Sequence, residues 1–128
     1  MGQRYSVSGR SAATAATLNH AAAALWNPST AFNISVREIW IVKTVATADN
    51  HAIAFITARG TAGSTVTPDI DNDYARQSPP PSGALLDLAA YSVQPTLQSP
   101  PLARRNLPAT VGSALYFDFR HYPILVRP

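Results

Sequence analysis

FNISVREIWIVKTV, residues 32–45, is the stretch whose reading decides the fold of this chain. Phe32, Ile34 and Val36 alternate with Asn33, Ser35 and Arg37, the period of a strand with one buried face. The phase then slips: Ile39, Trp40, Ile41 and Val42 are apolar on both faces, bracketed by Glu38 and Lys43. At ~3.3 Å per residue a straight strand of this length would run roughly 45 Å, far beyond the usual five or six residues. A bulge near Arg37 and Glu38 would shorten the run and restore the inward phase. Residues 39–42 still ask for cover on both sides, a second sheet on one and another subunit on the other.

Working outward, residues 4–8 read as a first strand. Residues 12–26 are ambiguous: alanine favours helix and Asn27-Pro28 would stop one, but no polar face repeats at helical spacing. Two short strands, or one irregular one, are preferred to a helix there, with Asn27-Pro28-Ser29 as the turn that follows. After the long strand, residues 48–51 read as a turn and 52–59 as the returning strand of an antiparallel hairpin. Gly60 to Ser64 reads as a flexible turn, and residues 65–67 as a short strand. Residues 85–93 make a short strand between two proline-rich loops, 68–83 and 94–108. Pro79-Pro80-Pro81 and Pro100-Pro101 favour extended polyproline geometry there. In residues 115–119, Leu115, Phe117 and Phe119 alternate with Tyr116 and Asp118, a strand with an aromatic inner face. Residues 122–127 follow as a last strand, Ile124 and Val126 inward, with Pro123 marking an edge. The expectation is one all-β domain over residues 1–128: an antiparallel β-sandwich, jelly-roll-like, with two long proline-rich loops.

Composition narrows the function classes. The chain is 128 residues long, enough for one core, and 13% of it is charged against 46% hydrophobic. So neutral a surface suits a protein of an assembly, although alanine inflates the hydrophobic share without filling a core. The net charge of +3 comes from arginines spread along the chain, with Lys43 the sole lysine. No basic stripe is present, so direct nucleic-acid binding is not expected. Without cysteine there are no disulfides, thiolate metal sites or cysteine nucleophiles, which fits folding in a cytoplasm. No run of 18 apolar residues suggests a membrane span. The N-terminus has no secretory signal core, and its Met1-Gly2 with Ser6 meets only a permissive lipidation pattern.

Candidate chemistry is thin. Asp69, Asp71 and Asp73 have the spacing that opens a calcium loop, but Tyr74 stands where glycine is needed and Pro80 where the bidentate glutamate is needed. A solvated acidic loop is the preferred reading. His20, His51 and His121 lack metal-pair spacing, and Glu38 is the only glutamate. Gly60 and Gly63 lack the Gly-Lys-Ser/Thr ending of a phosphate loop. Asp87 and Asp118 would be the candidates for a glycosidase-type carboxylate pair. No catalytic residues, metal or cofactor are expected, and the chain is read as a non-enzyme.

The order of the pieces resembles a group of small all-β structural proteins encoded among the head genes of tailed bacteriophages. The resemblance rests on Tyr5-Ser6-Val7 in the first strand, an aromatic strand end before Pro28, and the long strand Val36-Arg37-Glu38-Ile39-Trp40-Ile41. Arg59 then precedes Gly60-Thr61-Ala62-Gly63, followed by Thr67-Pro68 with Asp71, a Pro/Arg-rich loop, and the strand at residues 115–119. It covers most of the chain as patterns rather than as catalytic residues. One departure is that such proteins tend to continue past the position of Pro128 with another strand. The resemblance implies a capsid decoration, or cement, protein made in the host cytoplasm and placed on the virion surface. It would be a homotrimer bound to the major capsid protein, with no membrane or direct nucleic-acid partner. The trimer interface expected is Ile39, Trp40, Ile41 and Val42. Capsid-contacting loops would carry Arg76, Pro79, Pro80, Pro81, Pro100, Pro101, Arg104 and Arg105. The alternative is a glycan- or receptor-binding β-sandwich module of a phage tail or other surface structure, with Trp26, Trp40, Tyr74 and Tyr91 as stacking faces.

Overall fold

The computed structural model describes residues 4–11, 20–46, 49–70 and 80–127, and these form an all-β protein with no helix among them. The strands are β1 Tyr5–Ser6, β2 Ala23–Trp26, β3 Ile34–Val36, β4 Glu38–Val42, β5 Asp49–Ile53, β6 Ile56–Ala58 and β7 Ser64–Val66. They continue as β8 Asp69–Ile70, β9 Leu85–Leu88, β10 Thr96–Leu97, β11 Ala103–Leu107, β12 Ala114–Asp118 and β13 Ile124–Val126.

Every strand pairing is antiparallel, and five of them nest. Outermost, β3 lies on β13 with Ile34 opposite Val126. Moving inward, β4 lies on β12, β5 on β11, and β6 on β10. A bridge between Thr61 and Val93 leads to the innermost pair, β7 on β9. The middle of the chain is therefore a single antiparallel ribbon, one limb running out from Ile34 and the other returning to Val126. β2 adds to the second edge of β9, and β1 pairs with β8. β9 is the one strand here with neighbours on both edges, which explains why LLDL reads as a continuous run rather than an alternation.

The break expected in the long strand is present. Val36 pairs with Ile124 and Glu38 with Asp118, so Arg37 alone faces residues 119–123 on the other limb. The Phe119 N–H still donates to the Arg37 carbonyl at 2.7 Å and holds the limbs together across the gap. The inward phase shifts there as the alternation requires, from Ile34 and Val36 to Ile39 and Ile41, all half-buried. Phe32 lies outside the strand and is exposed. The last two strands follow their predicted phase: Phe117 is buried, Leu115, Phe119, Ile124 and Val126 are half-buried, and Asp118 and Leu125 point out.

Several expectations are corrected. The long strand and the one after it do not form a hairpin: β4 pairs with β12 and β5 with β11 on the returning limb. Asn50 and His51, expected in a turn, are within β5, and the strand predicted over residues 52–59 is split into β5 and β6. Residues 94–108 are not a long loop. They contain β10 and β11, so Arg104 and Arg105 are strand residues, and the prolines at 100 and 101 occupy the short connection between the two. The segment from Gly60 to Ser64 is likewise not a free turn. The Thr61 N–H donates to the Val93 carbonyl at 2.8 Å, and the Ser92 N–H to the Thr61 carbonyl at 2.9 Å. A Cβ on Gly60 would lie 2.2 Å from the Val93 carbonyl oxygen, so glycine is needed for the close approach of the two limbs.

Buried hydrophobic side chains are Ala84, Leu88, Ala89, Leu107 and Phe117. Against this small core, exposed large apolar residues gather near the interruptions of the ribbon. Tyr122 and Leu125 lie beside the Arg37 break, Val42, Val45 and Val111 where β4 ends, and Phe55, Leu97 and Leu102 between β5 and β6 and their partners.

Candidate interaction surface

Residues directly opposite in an antiparallel ladder share a face. In β4 and β12 the register places Ile39 with Phe117 and Ile41 with Leu115 on the inner face. Glu38 with Asp118, Trp40 with Tyr116 and Val42 with Ala114 occupy the outer face. The inner set is half-buried around the buried Phe117, whereas Trp40 is 62% exposed and Val42 57%. The two outer rings stack, with centroids 4.2 Å apart and planes at 25°. The ladder ends in a turn whose Gly112 has φ +88, and the Gly112 N–H donates to the Lys43 carbonyl at 2.9 Å.

The other end of this face is charged. Arg120 donates through Nε to one Asp118 carboxylate oxygen at 2.9 Å and through Nη2 to the other at 2.7 Å. Its Nε also lies 3.8 Å from the Glu38 carboxylate. The Arg120 hydrogen bonds, side-chain first and backbone second, hold the Asp118 carboxyl down at about 2. The same pairing raises the Arg120 guanidinium further above its ordinary value. Desolvation raises the Tyr116 phenol, and the Asp118 and Glu38 charges and a hydrogen bond to Glu38 add to it. One strip of sheet thus presents a charged cluster, an aromatic pair and an aliphatic end in sequence.

A second cluster is closed. Asp87, at the centre of β9, is 0% exposed and receives both prongs of Arg59, Nε and Nη2, each at 2.8 Å. The guanidinium also lies over the Trp26 ring at 5.8 Å, and the Tyr91 hydroxyl donates to the Asp87 carbonyl at 3.1 Å. Burial, reinforced by the Asp87 charge, pushes the Tyr91 phenol up to about 12. This cluster ties β2, β9 and the end of β6 together and has no free acid or base for chemistry. Asp87 and Asp118 are each taken by an arginine, so neither has the open carboxylate that a glycosidase pair needs. Sequence reasoning singled out Arg59 and Asp87 separately but did not join them. The usable signal was a carboxylate inside the apolar run ALLDLA, which must find a cation when buried.

The remaining sequence-predicted residues disperse. Of the four expected at a subunit interface, Trp40 and Val42 face out and Ile39 and Ile41 face in. Arg76 and Pro79 lie outside the described residues, as do Tyr74, Asp71 and Asp73 of the acidic loop, while Asp69 sits on β8 opposite Ser6. Pro80 is buried and accepts the Gly83 N–H at 3.0 Å in a tight turn; Pro81 and Pro100 are exposed and Pro101 is half-buried. Arg104 and Arg105 do not act as a pair. Arg105, though exposed, shares the face of the buried Leu107, its guanidinium 5.1 Å from the Phe117 ring centroid, whereas Arg104 lies on the other face opposite exposed Ala52 and is engaged by no carboxylate among the described residues. No metal-binding group of His, Asp and Glu occurs among the described residues. A cleft of about 490 Å³, bordered by Arg10, Thr44, Ser64 and Ala90 among others, is lined by no carboxylate or histidine among the described residues.

Comparison with family models, curated proteins and solved structures found no match to this chain. Among the described residues no helix is long and apolar enough to cross a membrane.

Proposed function

We propose that this chain is a virion structural protein, a decoration or cement protein that binds the outside of an icosahedral phage head and stabilises it. The observation that carries the reading is the outer face of β4 and β12. An indole 62% exposed and a valine 57% exposed stand side by side on a regular strand, in a ladder covered on its inner face only. Apolar surface of this kind gains about 25 cal/mol per Å² when covered, less the costs of association. The resemblance to phage head proteins supplies the identity of the partners: further copies of the chain, as a homotrimer, and the major capsid protein. The nested ribbon supports a jelly-roll winding, since that fold is built from strands paired in this order. Mechanism is then mechanical. Subunits cover one another's outer faces, and the proline-bearing connections, stiff before docking, lose little freedom when they settle across capsid joints.

Were a major capsid protein encoded beside this chain, its shells would supply the test. Shells assembled from that capsid protein should take up the purified chain to a saturating, fixed stoichiometry and melt at a higher temperature once decorated. Absence of saturable uptake, or uptake without a change in shell melting, sinks the cement reading. The glycan-binding alternative draws on one feature, the Trp40–Tyr116 platform beside Glu38, Asp118 and Arg120. Retention on immobilised host glycans that disappears in Trp40→Ala, with no uptake by shells, would favour it instead.

A further inference from the structure

The charged end of the β4–β12 outer face keeps acceptor capacity in reserve, since Glu38, beside its hydrogen bond with Tyr116, makes only a long contact to Arg120. Asp118 holds both prongs of Arg120, and the Glu38 carboxylate lies 3.8 Å from the same guanidinium, beyond hydrogen-bond distance. Glu38, Asp118 and Arg120 together carry one excess negative charge, and the Glu38 side chain is 30% exposed. Glu38 and Trp40 stand two residues apart on one face, roughly 7 Å along the strand. A cation is drawn to an indole face within about 6 Å of its centroid. One planar guanidinium can therefore lie on the Trp40 ring and donate to Glu38 at once. The stack on Tyr116 holds the indole in place before anything binds.

We propose that this seat takes the side chain of Arg104 from a second copy of the chain, an inference that rests on the self-association proposed above. Charge complementarity between the two outer faces of the ribbon points to this occupant. Of the arginines that lie within the described strands, Arg104 and Arg105 of β11, Arg105 is engaged by the Phe117 ring. Arg104 stands mid-strand on β11, exposed and without a carboxylate partner among the described residues. Opposite it is Ala52, which leaves low ground for a bulky ring to approach, and beside it the Asn50 and Asn106 amides are joined at 2.8 Å. The outer face of β5 and β11 thus carries the Arg104 charge among neutral residues, and that of β4 and β12 a net negative charge beside an aromatic pair. Like faces would repel, whereas unlike faces from two copies attract and set the register of association.

Charge exchange tests the contact in the full-length chain, with association read by sedimentation at low and high salt. Arg104→Glu and Glu38→Arg should each weaken self-association about tenfold or more, with the difference shrinking at high salt. Combining them should return the association constant to within about threefold of wild type. Near-ultraviolet circular dichroism of the Trp40–Tyr116 stack reports that each variant is folded. Should Glu38→Arg disturb the ladder, Glu38→Gln removes the charge while keeping the shape, and should weaken association as much as Arg104→Gln. Association equally strong in wild type and in every variant overturns the Arg104 seat and leaves self-association standing. Wild type that stays monomeric throughout the micromolar range overturns both.

Discussion

Asp87 and Arg59 show how one buried charge organises its surroundings. A carboxylate with no exposure is tolerable only because a two-pronged guanidinium neutralises it, and that guanidinium is positioned in turn by the Trp26 ring. Arg59→Ala strands the carboxylate and should cost about 3–5 kcal/mol, measured as a fall in urea midpoint at constant slope. Replacing the pair together, Arg59→Met with Asp87→Leu, should recover most of that loss. A double variant as unstable as the single one would show that the pair is needed for more than mutual neutralisation. Asp118 sets a different test. Its carboxyl is held down at about 2, against roughly 3.9 in an unfolded chain, so its contribution is complete above pH ~4 and is lost as pH falls toward 2. An NMR titration of the Asp118 side chain should give that low midpoint in wild type and an ordinary one in Arg120→Ala. An ordinary midpoint in wild type would mean that the Arg120 fork is not formed.

At the scale of the element, β4 separates two tasks that the sequence left merged. Phe117, facing Ile39, is 3% exposed, and Phe117→Ala should cost about 3–5 kcal/mol of folding stability. Trp40 leans on Tyr116 but is otherwise open, so Trp40→Ala should cost the isolated chain only about 1 kcal/mol, the worth of an aromatic pair. Its effect on association should be larger, about 2 kcal/mol or more, as for a central aromatic anchor. Urea melts at dilution and sedimentation at higher concentration distinguish the two. A large loss of monomer stability with association unchanged would place Trp40 in the fold rather than at a joint.

At the scale of the whole molecule, nesting makes the pairings unequal. β7 and β9 close the shortest loop, whereas β3 and β13 enclose everything between them, and closure entropy grows with loop length. The ribbon should therefore zip from the inside outward. Leu88→Ala, in β9, should slow folding, and Ile124→Ala, in β13, should mainly speed unfolding, in chevron measurements at concentrations where the chain is monomeric. The opposite pattern would mean that the outer ladders nucleate. The same topology explains the exposed apolar residues. A two-stranded ladder buries one face readily, and each interruption of the ribbon leaves side chains such as Val111 and Tyr122 without neighbours.

Alternation in the sequence was enough to determine the all-β class, a break near Arg37 and Glu38, and the inward phase of Leu115 and Phe117, because side-chain direction has a local period of two. The run 39–42, apolar throughout, left its two faces undivided until the ladder with β12 separated Ile39 and Ile41 from Trp40 and Val42. Pairing has no such local record. Whether residues 49–53 return along β4 or cross to β11 is settled between strands far apart in the chain, and the expected hairpin gave way to a nested ribbon. The proline-rich stretch at 94–108 looked like a loop because its composition is polar, yet a strand whose outer face is solvated tolerates Arg104 and Asn106 as readily as a loop does. The union of Arg59 with Asp87, the division of labour between Arg104 and Arg105, and the opposite charges of the two outer faces all join residues far apart in the chain. Only the tertiary structure decided them, because burial and proximity set the energy of a charge, and neither is written in its immediate neighbours.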